Sequence, residues 1–222
     1  MKSLIEIVGV FSSITTFTVL VTLCMSKILT LKNVLRLAAI YSGISFANDL
    51  MLAMLPSYFH YHFLFSFTLL EYGCFAWMFY MILGKPLSKN VVLVGSFMFL
   101  VIVSIGLRSY GSSHFDAVNT GSEAILIIIY SIFYFMEKLN SEKMEPIFDS
   151  PGSYVVLACL FYLAGNLFLF ITSESQNATM WVINSLCNLT RNVFFIVAIR
   201  QCTKPIKRQI TPITGFTGFV SR

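Results

Sequence analysis

Long apolar runs follow one another along this chain with short polar breaks between them. Each approaches the roughly 20 residues that cross a hydrocarbon core of about 30 Å. They cover about residues 4–25, 33–55, 61–84, 90–107, 119–138, 152–173 and 179–201. The breaks carry helix-stopping residues: Pro56 after the second run, Gly84-Lys85-Pro86 after the third, and the polar stretch Glu137–Pro151 after the fifth. No small-x-small cleavage site follows the first run, and Leu23 departs from a lipoprotein box at Cys24, so that run reads as a retained helix. The pattern predicts an all-α fold, a seven-transmembrane helical bundle forming one domain over residues 1–202, with a basic cytoplasmic tail over 203–222. Loops mostly under a dozen residues make sequential helices antiparallel neighbours.

The polar positions inside these runs are few and regularly placed. In the seventh, Asn184, Asn188 and Arg191 fall on one helical face, Asn192 lies beside Arg191, and Trp181 extends the stripe outward. In the second, Tyr41, Ser45, Asn48 and Asp49 follow the same i, i+4, i+7, i+8 pattern. An arginine near the middle of a membrane helix costs about 2.5–3.5 kcal/mol, so Arg191 should face the bundle interior and find an acid. Asp49 and Glu71 are the two acids set well inside other runs. At a rise of ~1.5 Å per residue, Asp49 lies about 10 Å, Glu71 about 14 Å and Arg191 about 18 Å below the outer boundary. Asn166, one turn beyond Tyr162, sits at similar depth. One reading is a ligand or ion cavity opening outward, lined by these groups and by Trp77. The other is a structural network that neutralises Arg191 and joins helices, each hydrogen bond contributing about 0.6 kcal/mol. Glu123, near the outer end of the fifth helix, is expected to be an interfacial carboxylate that reaches water.

Composition narrows the class. Of 222 residues, 57% are hydrophobic and 11% charged, against roughly 25% charged in soluble domains, which marks an integral membrane protein. The net charge of +5 sits mostly in short loops beside apolar runs, so it reads as topological bias and not as a nucleic-acid surface. With alternating helices, Lys27, Lys32, Arg36, Lys85, Lys89 and Lys138 share a side with the cations around the C-terminus, while Lys2 and Arg108 stand opposite. That places the N-terminus outside and the C-terminus inside, in what is expected to be a bacterial cytoplasmic membrane. The five cysteines lie in or at the ends of apolar runs without a C-x-x-C pair and read as apolar fillers, and His60, His62 and His114 read as interfacial residues, so no metal or cofactor is expected. Gly43-Ile-Ser45-Phe-Ala47 faintly resembles a hydrolase elbow, but no histidine lies at membrane depth to activate Ser45, so a non-enzymatic protein is expected.

Four polar landmarks recur at nearly one spacing. Glu6, Asn48, Glu71 and Lys85-Pro86 are separated by 42, 23 and 14 residues; Glu123, Asn166, Arg191 and Lys204-Pro205 by 43, 25 and 13. This predicts two parallel three-helix units joined by the fourth helix, a 3+1+3 repeat with Glu71 and Arg191 at equivalent positions. The layout is similar to that of small sugar transporters of the SWEET type. Those depend on prolines within helices, whereas all six prolines here sit at helix ends or in loops. Retinal proteins use a lysine midway along the seventh helix, where this chain has Arg191, which forms no Schiff base.

The second half of the chain and part of the third helix carry a further likeness. Glu71, Ser150-Pro151, the stretch Leu160–Phe170 with Gly165-Asn166, and Trp181-Val-Ile-Asn184-Ser185 with Asn188 and Asn192 resemble uncharacterised small seven-helix integral membrane proteins of bacteria. The resemblance implies a sensing or accessory role in signalling and assigns no catalytic residue. The expected function is thus a receptor-like sensor with a small or lipidic ligand in an outward-facing cavity and a cytoplasmic or membrane signalling partner. The alternatives are a small-solute or proton-coupled transporter of 3+1+3 type and a membrane scaffold with a structural polar core. The loop charges predict that a reporter fused after Arg222 reads cytoplasmic and one inserted at 174–178 reads external; a periplasmic C-terminus would require a different number of crossings.

Overall fold

The computed structural model describes residues 2–25, 33–56, 59–110, 117–140, 148, 150–172 and 178–203. They form seven helices: α1 (Lys2–Met25), α2 (Asn33–Met54), α3 (His60–Ile82), α4 (Pro86–Tyr110), α5 (Ala117–Leu139), α6 (Pro151–Thr172) and α7 (Ala178–Thr203). Pro86 and Pro151 open α4 and α6, where a missing N–H costs nothing, and Pro56 follows the end of α2. His60 Nε2 lies 2.9 Å from the Leu55 carbonyl, so this ring closes the α2–α3 connection. Six helices, α2 to α7, are long and apolar enough to cross a membrane; the described apolar stretch of α1, Gly9–Thr22, is shorter. The chain is an all-helical integral membrane protein. The 203–222 tail, apart from Thr203 at the end of α7, and His114 lie outside the described residues.

The helices do not simply neighbour one another in chain order. α1, α2, α3, α5, α6 and α7 form a closed ring, with α7 packed back against α1, while α4 stands outside against α3 and α5. α4 is the most apolar of the spans. It turns Leu93, Val94, Phe97, Met98 and Leu100 outward, the faces that lipid solvates without penalty. Inside the ring, Phe75, Phe79, Val155, Val156, Leu163 and Phe195 are buried.

Small residues let the helices approach. Gly165 of α6 lies against the Cys187 thiol of α7, with no room for a Cβ between them. Gly95 of α4 is covered in the same way by the Tyr130 phenol and Leu126 of α5. The Tyr130 hydroxyl lies 3.0 Å from that of Tyr72 and 3.3 Å from the Val92 carbonyl, and Tyr72 also donates to Ser96 at 3.1 Å. Tyr72 stacks on Phe99, ring centroids 3.9 Å apart, so α3, α4 and α5 share one aromatic and hydroxyl contact. At one end of this seam the Glu137 carboxylate accepts from the Gly84 and Lys85 amides at 2.8 and 3.1 Å, tying the α3–α4 turn to α5. A methyl at position 95 must displace a rigid, bonded phenol. Gly95→Ala is therefore expected to cost about 1–3 kcal/mol of stability, and less in a Tyr130→Phe background, as measured by thermal unfolding in detergent.

Candidate functional site: a closed polar centre

Arg191 is the largest fully buried side chain, 1% exposed, and its position follows from the α7 sequence. An inward face that carries a cation must supply acceptors from every helix it meets. One guanidinium Nη donates to the Tyr41 hydroxyl, the other lies 3.5 Å from Ser45 Oγ, and Nε and Nη2 both reach Asn192 Oδ1 at 3.4 Å. The guanidinium is also sandwiched between two phenol faces, its carbon 5.0 Å from the Tyr41 ring centre and 4.5 Å from that of Tyr162. Such stacking is worth about 2 kcal/mol or more when desolvated.

The acid reaches Arg191 through a bridge. The Tyr41 hydroxyl accepts from Arg191 and donates to Glu71 Oε1 at 2.5 Å, and the Tyr162 hydroxyl faces the same carboxylate. A single phenol proton can point only one way, so Tyr41 orients the pair as donor to the acid and acceptor from the base. Inserted between opposite charges in a low dielectric, it strengthens both hydrogen bonds. Asp49, the other expected partner, is half-buried; it accepts from Ser13 Oγ at 3.2 Å and feels Arg191 only through space. Asn192, fully buried, completes the centre. Its amide nitrogen donates to Thr15 and Thr16 of α1 at 3.0 and 2.9 Å, while its oxygen faces Arg191.

The expected site residues thus separate. Tyr41, Ser45, Glu71, Tyr162, Arg191 and Asn192 come together; Asn48, Asn184 and Asn188 are half-buried and take no part in the Arg191 hydrogen bonds. Trp181 is in α7, with its side chain outside the described residues. Trp77 is 55% exposed on the outer surface and stacks on Tyr80, so it does not line the interior. An apolar groove of about 460 Å³ between α1 and α2 reaches Ser13 and Phe46, and a smaller cavity of about 190 Å³ lies among Leu35, Ile82 and Val155. Neither is lined by Asp49, Glu71 or Arg191.

Glu123 corrects one expectation. It does not reach water: it is 0% exposed, and both carboxylate oxygens are without a hydrogen-bond partner, as are the side-chain oxygens of Asn119 and Asn166. The reason is rotational. Asn119 and Glu123 are one turn apart on α5, on the face opposite Gly121, and that face turns Glu123 to within electrostatic reach of Tyr72 of α3 and Tyr162 of α6. Asn119, Thr15 and Thr16 were not singled out by sequence. The i, i+4 spacing of Asn119 with Glu123, and a pair of adjacent threonines in an apolar helix, are the signals that mark them.

Comparison with protein-family models, curated proteins and solved structures gives no match to this chain.

Removing one member of a buried pair strands the other, at a cost of about 3–5 kcal/mol. Arg191→Leu is expected to destabilise by that order, and adding Glu71→Gln to restore part of it. Tyr41→Phe, which breaks the bridge, should cost about 1–3 kcal/mol, and Asp49→Asn little. Thermal midpoints of these variants in detergent test the assignment; rescue of Arg191→Leu by Asp49→Asn, with none by Glu71→Gln, would make Asp49 the partner.

Proposed function

We propose that the protein moves a small solute or ion across the bacterial cytoplasmic membrane as a transporter of 3+1+3 type, N-terminus outside and C-terminus inside, with its centre closed in the conformation described. The observation that carries this reading is the reach of two adjacent residues of α7. Arg191 and Asn192 bind Thr15 and Thr16 of α1, Tyr41 and Ser45 of α2 and, through Tyr41, Glu71 of α3. All three helices of the first half are held from one point of the second. The polar centre is therefore a latch between halves, the place where alternating access needs one.

The helix order supports the same reading. The contact of α1 with α7 has its counterpart in that of α5 with α3, and α2 touches α7 as α6 touches α3. Equivalent positions also behave alike. Glu71 and Arg191 both enter the centre, and their successors Tyr72 and Asn192 both turn to the first helix of the opposite half, Tyr72 to Tyr130 and Asn192 to Thr15 and Thr16. A purely structural core accounts for the Arg191 network but not for buried acceptors left without donors around Glu123.

A second reading, a receptor-like sensor of a lipidic ligand, draws on the groove between α1 and α2. The hydroxyl of Ser13, one of the residues that line it, already binds Asp49. A signal received there would leave through a cytoplasmic or membrane partner.

Reconstitution separates the two. Purified protein alone in liposomes is expected to carry a proton or cation current under an imposed gradient, read by an entrapped dye, and Tyr41→Phe is expected to change the rate by loosening the latch. Liposomes that stay tight to protons, sodium and potassium would remove the transport reading and leave the sensor.

A further inference from the structure

We infer that Asn119, Glu123 and Asn166 form a binding site for a small dehydrated monovalent cation, sodium in class, in the seam between α5 and α6. Four buried side-chain oxygens on these two helices are without a donor: both carboxylate oxygens of Glu123, Asn119 Oδ1 and Asn166 Oδ1. Asn119 and Glu123 share one face of α5. Gly121, two residues from each and so on the opposite face, meets Leu167, which sets Asn166 at the same level on α6; Tyr162, one turn from Asn166 on the same face of α6, lies within electrostatic reach of Glu123. The Glu123 carboxylate lies within electrostatic reach of Glu71, Tyr72 and Tyr162, which places it toward the interior of the ring.

The charge balance points to a cation. Among the described residues the buried carboxyl and guanidinium groups are Arg191, Glu71 and Glu123, one potential positive charge against two potential negative ones, so with both acids ionised the interior would carry one negative charge in excess. Arg191 is already engaged by Tyr41 and Glu71 and does not bond Glu123. An uncompensated carboxylate away from water costs several kcal/mol, and that charge must be neutralised. A proton on Glu123 would add one donor, enough for one of the remaining acceptors. A metal ion satisfies all four at once. An all-oxygen donor set selects a hard cation, and its single net charge suits a monovalent ion better than calcium, which gathers six to eight oxygens and usually several carboxylates.

The site deepens the transport reading, since a cation held beside Glu71 would couple to the latch, but binding itself does not depend on transport. The test is thermal unfolding of the purified full chain in detergent, with sodium, potassium or choline chloride exchanged at constant ionic strength. Sodium is expected to raise the unfolding midpoint saturably above the choline value, as a ligand of the folded state alone must. Glu123→Gln, isosteric and neutral, should keep the fold and abolish the difference, and Asn166→Ala should shift the midpoint of the titration to higher sodium. Isothermal titration of sodium into the choline form gives a second readout for any variant that unfolds too early. Equal midpoints in sodium and choline, or a sodium effect that survives Glu123→Gln, would overturn the site. So would a pH-dependent midpoint, abolished by Glu123→Gln but blind to sodium, because the carboxyl would then carry only a proton. Sodium binding without flux in liposomes would sink the transport reading and leave the site standing, whereas flux without sodium binding would do the reverse.

Discussion

A guanidinium in hydrocarbon cannot be left bare, and around Arg191 the bundle is built to meet that demand. The groups that meet it are a phenol hydrogen-bonded in turn to an acid, an amide, a distant serine and two aromatic faces. Each comes with a helix attached, so solvating one group also settles where α2, α3, α6 and α7 stand and which faces they turn inward. The amide does a second task by reaching α1. In a bilayer, where apolar packing brings no hydrophobic gain between helices, such polar demands decide which helices meet, and small residues such as Gly165 decide how closely.

The interior has two polar regions that obey opposite rules. Around Arg191 acceptors are matched to donors. Around Glu123, on α5, buried acceptors have nothing to accept from. A protein that merely needed glue would have no reason to keep the second region, since an apolar residue at 123 would fit the α5–α6 seam at lower cost.

Much of this was legible in the chain. Apolar runs ending at Pro56, at Gly84-Lys85-Pro86 and before Pro151 gave the seven helices and their order, because length and hydropathy are local properties. The inward face of α7 was legible for the same reason: an arginine flanked by asparagines in an apolar helix has only one direction to point. What stayed hidden depends on which helices touch. Two acids competed for Arg191, and only the fold places Tyr41 between it and Glu71. The position of α4 outside the ring, and with it the contact of α3 with α5, has no sequence signal beyond its greater lipophilicity. Glu123 was misplaced because depth was counted along the helix while burial is decided by rotation about it. Trp77 shows the reverse error, an aromatic side chain counted inward that faces out.

The adjacency of Arg191 and Asn192 sets the kind of motion α7 can make. Neighbours on a helix are separated by 100° of arc, so the two side chains act like teeth set at a fixed angle on one shaft, one engaged with α2 and the other with α1. A twist of α7 therefore loads both contacts at once, so the attachments to α1 and α2 are mechanically coupled through one helix.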